Sequence, residues 1–244
     1  MATRLYSVVI DAADPGRLAR FWSEATGWPI TYDVDDEKVV EPPDGAPGVA
    51  LVIGAVDDPK VGKNRVHLDL NPRTEEEQAS WVQRLVDLGT RPVDIGQQDV
   101  PWVVLADPEG NEFCVLDPRD EYDGAGPVAA VVQDCLDPRA LVGFWQAATG
   151  WTVLRTEDSY ATLAAPDGAP GPRLELIRVE DPKVVKNRWH LDVAPSSDDD
   201  QAAEVARLKA LGATDADIGQ GPGLPWVVLA DPEGNEFCVL SPRA

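Results

Sequence analysis

Hydrophobic and polar positions switch between two periods along this chain, and the switches recur in a fixed order. Leu18, Phe21, Trp22 and Ala25 recur at helical spacing, on one face of a helix that Asp14 and Pro15 start and Gly27 stops. A second helix opens at Thr74, where Glu77 completes a capping box. Trp81, Val82, Leu85 and Leu88 form its expected inward face, and Gly89 ends it. Ser197 to Gly212 predicts the same helix again, with Asp198, Asp199 and Asp200 suiting its positive start. Between the helices lie short β-rich runs bounded by turn chemistry, as in Pro42 to Gly48 (PPDGAPG) and Asp107 to Asn111 (DPEGN).

The pattern is that of a duplication. PWVVLADPEGNEFCVL, from Pro101 to Leu116, returns unchanged from Pro225 to Leu240. Asp14 to Trp28 matches Asp137 to Trp151, and Asp58 to Leu70 matches Asp181 to Val193. The offset is 123 residues up to Gln97/Gln220 and 124 from Trp102/Trp226, so one residue was gained in the loop between. Each half reads as βαβββ followed by βαβββ. The expected division is a domain over residues 1–119, a linker rich in Asp and Gly over 120–127, and a second domain over 128–244.

Composition narrows the function classes. An apolar fraction of 43% suits a globular chain, no run approaches the ~18 apolar residues of a membrane span, and no signal-peptide pattern is present, so a cytoplasmic location is expected. A net charge of −22 argues against nucleic acid and anionic membranes as partners, favours cationic ones and keeps the chain soluble. Cys114, Cys135 and Cys238 lack CxxC spacing, which speaks against a disulfide framework and a cysteine zinc site.

Candidate chemistry is concentrated in one strand of each half. In Arg65 to Leu70, Val66, Leu68 and Leu70 point one way while Arg65, His67 and Asp69 point the other; Arg188, His190 and Asp192 repeat the row. A histidine beside a carboxylate can exchange a proton near neutral pH or donate to a ligand; the same row can equally be an ion-paired ladder. Six of the eight tryptophans are paired by the duplication. Trp22 and Trp145 belong to the helix core, whereas Trp28, Trp151, Trp102 and Trp226 are candidate walls for stacking a flat or cationic ligand. Lys60, Lys63 and Arg65, repeated as Lys183, Lys186 and Arg188, either grip an anionic group or pair with nearby acidic residues.

The βαβββ duplication, the DPxxLxxFW helix, the NRxHLD strand and the terminal DPEGNEFCVL hairpin together resemble the vicinal oxygen chelate superfamily, specifically its glyoxalase-like and bleomycin-resistance-like domains. The resemblance implies an α+β fold of two tandem domains, each a pair of βαβββ modules curled into a half-open β-cup that holds a metal or small molecule. It places metal ligands at four positions per domain. These are Ser7, Val52, His67 and Cys114 in the first half, and Ala130, Glu175, His190 and Cys238 in the second.

With so few His or Glu donors, no metal cofactor is expected; Glu175, His190 and Cys238 are the remaining candidate ligands. The function implied is metal-independent binding of a small aromatic or cationic compound, as in drug or natural-product resistance. Arg65, Arg188, the four wall tryptophans, Cys114 and Cys238 would line the site. The alternative is an enzyme, a lyase, isomerase or other tailoring activity, with His67, Asp69, His190 and Asp192 as acid–base groups. Fold analogy predicts a monomer whose halves form an internal pseudo-dimer.

Overall fold

The computed structural model describes residues 3–221 and 223–243. Four βαβββ modules follow one another. The first holds β1 (Arg4–Ala12), α1 (Pro15–Thr26), β2 (Ile30–Val34), β3 (Glu37–Val40) and β4 (Ala50–Ala55). The second holds β5 (Val66–Leu70), α2 (Glu75–Asp87), β6 (Arg91–Pro92), β7 (Val103–Ala106) and β8 (Glu112–Val115). The second half repeats the plan with β9 (Val128–Cys135), α3 (Pro138–Thr149), β10 (Thr152–Thr156), β11 (Tyr160–Ala164) and β12 (Arg173–Arg178). Its last module is β13 (Trp189–Ala194), α4 (Gln201–Ala210), β14 (Thr214–Asp215), β15 (Trp226–Ala230) and β16 (Glu236–Leu240). No helix among the described residues is long and apolar enough to cross a membrane.

The α+β fold of two tandem domains is as expected, but the sheets are not drawn one from each half. The first eight-stranded sheet runs β14-β15-β16-β13-β1-β4-β3-β2, and the second runs β10-β11-β12-β9-β5-β8-β7-β6. Each joins one module of each half through an antiparallel central pair. In the first sheet Val8 faces Leu191 and Val9 faces His190; in the second His67 faces Val132 and Leu68 faces Val131. Strands β1 and β9 pair in parallel with β4 and β12 on their other sides, so neither central strand is left with an open edge.

Local signals explain the helices. Asp14 accepts the Arg17 N–H at 2.9 Å, and Gly27 takes the left-handed conformation (φ 75°) that a Schellman-type stop requires, its N–H reaching Ser23. Asp137 and Gly150 do the same for α3. In α2 only Leu85 is fully buried; Trp81 and Val82 pack partly and Leu88 lies exposed, so the inward face is narrower than its spacing predicts. Helix α4 begins at Gln201 with Asp200 as cap, four residues later than expected, because Ser196 to Asp199 form a turn.

One apolar core joins the convex faces of both sheets with α1 and α3. Trp22 of α1 meets Phe113 of β8 and Trp189 of β13 edge-on, at centroid distances of 5.2 and 5.5 Å, and so touches both sheets. The DPEGN turns lock the modules of each half together. Asp107 accepts from the N–H groups of Glu109 and Asn111, and the Glu109 carboxylate accepts from the N–H groups of Ala13 and Asp14 ahead of α1. Glu233 serves Leu136 and Asp137 in the same way.

A cut within residues 120–127 removes the partner of β1 and of β5 alike. The fragment 1–119 alone is expected to form dimers or aggregate, whereas co-expression with 128–244 restores a compact heterodimer. Light scattering checks this, and a stable monomeric 1–119 would refute the shared-sheet account.

Candidate functional site

Because the sheets are shared, residues that the sequence groups by half are regrouped by module. On the concave face of the first sheet Ser7 and Val9 lie beside Asp192 and His190, while Val9 also neighbours Val52 and Asp192 neighbours Cys238. On the second sheet Ala130 and Val132 lie beside Asp69 and His67, with Glu175 next to Val132 and Cys114 next to Asp69. Glu175 therefore belongs with His67 and Cys114, not with His190 and Cys238 as the halves suggested.

The alternation read in Arg65 to Leu70 holds: Val66, Leu68 and Leu70 are core, and His67 and Asp69 face the concave side. In the first sheet that side encloses a cavity of about 700 Å³ lined by Ser7, Val9, Asp11, Val52, His190, Asp192, Trp226 and Cys238, among others. We call this the open cup. In the second sheet the same face is filled from the connecting segment, which was expected to be a plain linker. Asp120–Tyr122 forms a short 3-10 turn, and the Tyr122 ring packs with Val104, Cys114, Leu116, Ala129, Ala130 and Val132. Its hydroxyl donates to Glu175 at 2.8 Å, Asn71 donates to the Tyr122 carbonyl at 3.2 Å, and Arg73 pairs with Asp123 at 2.9 Å. This is the strapped cup. Tyr122 was missed in the sequence; the single aromatic of an otherwise Asp- and Gly-rich connection was the available signal.

Within the open cup His190, Asp192 and Cys238 are all buried. The imidazole Nε2 lies 3.4 Å from the Cys238 sulfur and 3.7 Å from Asp192 Oδ1. Ser7 donates its hydroxyl to Asp192 Oδ2 at 2.9 Å, which leaves Oδ1 without a hydrogen-bond partner. Burial, opposed by the Ser7 hydrogen bond and the nearby Cys238 thiol, pushes the Asp192 carboxyl up to about 7. Burial, then the charge of Lys186, lowers His190 to about 4. Burial and the neighbouring Asp192 push the Cys238 thiol up. In the strapped cup burial and the Asp69 charge raise Glu175 to about 7 against the Tyr122 hydrogen bond, and His67 Nε2 lies 3.5 Å from Asp69 Oδ1.

These residues do not fit the divalent metal of the family's metal enzymes. In each cup the imidazole, carboxylate and thiol atoms lie within 4.8 Å of one another. A bound cation would itself deprotonate the thiols, so the fit turns on the remaining positions. Val52 offers no donor atom in the open cup, and Ala130 offers none in the strapped one, where Glu175 is engaged by Tyr122.

Several expected wall residues lie elsewhere. Trp28 is core: a Cβ on Gly48 would come within 2.5 Å of its indole, so the glycine is what admits the ring. Trp151 is also in the core and touches a separate cavity of about 430 Å³ beside Arg4 and Pro166. Trp102 packs against the Tyr122 cluster with the Arg119 guanidinium 5.6 Å from its ring. Only Trp226 lines the open cup. Arg65 and Arg188 brace the two halves and are not part of the open cup's lining. Arg65 donates to the carbonyls of Asp134 and Asp181, and Arg188 to those of Asp11 and Asp58. Lys63 pairs with Asp134 and Lys186 with Asp11 across the same seam.

A family model described as the glyoxalase-like domain matches residues 7–116 and again 130–240. The whole structure is similar to glyoxalase I from Zea mays, with a TM-score of 0.68 at 18% identity over 98% of this chain and 92% of that one. It is also similar to a putative dioxygenase from Bacillus subtilis, with a TM-score of 0.63 at 12% identity over 100% and 86% of the two chains. At such identities the likeness speaks for the fold alone. Among curated proteins no sequence matches.

The two shifted groups of the open cup act oppositely on stability. A carboxyl raised to about 7 contributes fully below its unfolded value near 4, and the contribution is lost as pH rises through 7. A histidine lowered to about 4 contributes above its unfolded value near 6.5, and loses this as pH falls through 4. Relative to wild type, Asp192→Asn should gain stability as pH rises from about 4 to 7, and His190→Gln should gain as pH falls over the same range. The effect is at most about 4 kcal/mol for Asp192 and about 3 kcal/mol for His190. Denaturant melts across this range check it; profiles parallel to wild type would refute the assignment.

Proposed function

We propose that this chain, which belongs to the glyoxalase-like domain family, binds one small aromatic or cationic molecule in its open cup without a metal ion. It would sequester that molecule as a monomer in the cytoplasm, in the manner of drug or natural-product resistance. The observation that carries this reading is the pairing of an open cavity of about 700 Å³ with a metal position, Val52, that offers no donor and another that offers only the Ser7 hydroxyl, already engaged by Asp192. A cavity of that size suits a drug-sized ligand, and its mixed lining of Val9, Val52, Tyr6, Trp226 and carboxylates is typical of a small-molecule site. Since the second cup is filled by Tyr122, the reading requires one site per chain.

A second reading is favoured by Asp192 Oδ1, a buried carboxylate oxygen without a partner at the cavity wall. A carboxyl near neutrality beside a neutral imidazole can take a proton from a bound substrate and return it elsewhere. The product then differs from the ligand that entered.

Elemental analysis of the purified protein is expected to show no stoichiometric zinc, nickel, iron or manganese. Ligand released from the cup should have unchanged mass, at one per chain. Trp226→Ala should weaken binding by ~0.5 to 3 kcal/mol without loss of fold. About one metal per chain, lost in His190→Ala, would overturn the binding reading. A chemically altered ligand, with turnover lost but binding kept in Asp192→Asn, would replace sequestration by catalysis.

A further inference from the structure

The two cups share part of their concave lining, yet one is occupied by a side chain of the protein itself. In the strapped cup the Tyr122 ring rests among Val104, Cys114, Leu116, Ala129, Ala130 and Val132. The duplication and the strand register map five of these walls onto Cys238, Leu240, Tyr6, Ser7 and Val9, all of which line the open cavity. Even the bulges correspond: the register of β1 slips at Tyr6 and that of β9 at Ala129, which turns both residues to the concave side. Three of these five walls are identical and two differ, Ala130 by Ser7 and Ala129 by Tyr6, so a related seat recurs, filled by a phenol ring in one cup and opening on the cavity in the other.

Differences between the seats say what else the open one selects. Glu175, which accepts the Tyr122 hydroxyl, is replaced by Val52, and Ala130 by Ser7, whose hydroxyl orients Asp192. The unpartnered Asp192 Oδ1 calls for a donor, and the cavity reaches that residue. Toward the mouth stand Asp36, Glu37 and Glu41, none of which forms an ion pair among the described residues. The basic residues nearby are engaged, Lys186 with Asp11 and Arg243 over the Tyr6 ring. An unpaired carboxylate rim beside low-dielectric walls favours a positive group on the ligand.

We infer that Tyr122 occupies in the strapped cup the seat that the ligand's ring takes in the open one, and that the open cup receives a single aromatic ring bearing an amine. The inference rests on the open cup being a small-molecule site, as proposed above. The ring lies over Val9 and Cys238 beside Trp226, and the amine faces Asp192 or the Asp36–Glu37–Glu41 rim.

Calorimetry on the full chain with three probes tests this: tyramine, phenol and 4-hydroxyphenylacetate. Tyramine should bind once per chain and about fivefold or more tighter than the other two at low salt, an advantage that shrinks at high salt. Glu37→Gln/Glu41→Gln should reduce the tyramine preference and leave phenol unchanged. Val9→Trp, which fills the seat, should abolish binding in a protein whose melting shows it folded, and Tyr122→Gly should raise the phenol stoichiometry from one to two.

Tyramine binding no tighter than 4-hydroxyphenylacetate would overturn the inference, as would binding that survives Val9→Trp. The wild-type comparison stands even if a variant fails to fold. If a ligand of other chemistry is expelled by Val9→Trp, only the ring-and-amine inference falls. If no ligand depends on the cup, the proposed function falls with it.

Discussion

The antiparallel pairing of β1 with β13, and of β5 with β9, is the contact on which the rest of the molecule depends. A βαβββ module on its own ends in a strand whose backbone groups face nothing, and burying that edge without hydrogen bonds would cost more than its side chains recover. Pairing modules across the halves satisfies the edge and brings α1 and α3 into one core, where Trp22 can touch both sheets. The salt bridges and arginine contacts at the seam fall into place only because those strands are already adjacent. Arg65 and Arg188 reach carbonyls of the opposite half with little freedom left to lose, so their braces add register more than bulk stability.

The same pairing decides which chemistry is possible. Had each half closed on itself, Glu175 and His190 would share a cup and a two-donor site would be conceivable. Regrouping by module puts Glu175 beside His67 and leaves the open cup with His190, Cys238, a hydroxyl and a valine at the metal positions. Burial then disfavours charge on the remaining groups. A neutral imidazole and a half-protonated carboxyl cost less in a low-dielectric pocket than an ion pair formed there, so the depth of the cup is suited to hydrogen bonding and proton exchange more than to holding a metal ion.

What could be read from the sequence follows from how local each signal is. The Asp14 and Gly27 caps, the Leu18–Phe21–Trp22–Ala25 face and the alternation around His67 depend on neighbours within a few residues, and all are present. The pairing of modules depends on contacts between residues far apart in the chain, Val9 with His190 in one sheet and His67 with Val132 in the other. Two internally similar modules in each half leave both pairings equally consistent with the pattern. The misplacement of Trp28 has the same origin: a tryptophan at a strand start is wall or core according to what approaches it, and Gly48, twenty residues on, decides for core. Tyr122 was hidden by its surroundings, since a stretch of Asp and Gly around one aromatic reads as a linker until the cavity it fills is known.

Identity of sequence between the two terminal hairpins does not make the cups equivalent. Asp69 Oδ1 and Asp192 Oδ1 are both buried without a partner, so the orphaned oxygen alone does not mark a working site. What differs is access. In the strapped cup the space in front of the row is taken by a ring held through Glu175, Asn71 and Arg73, whereas in the open cup a cavity reaches the carboxyl. A buried polar atom left unpaired costs roughly 1 to 3 kcal/mol, and an incoming donor can recover that only where it can enter. The strap thus makes two similar pockets unequal, one open and one filled, and the difference lies in the segment that connects the halves.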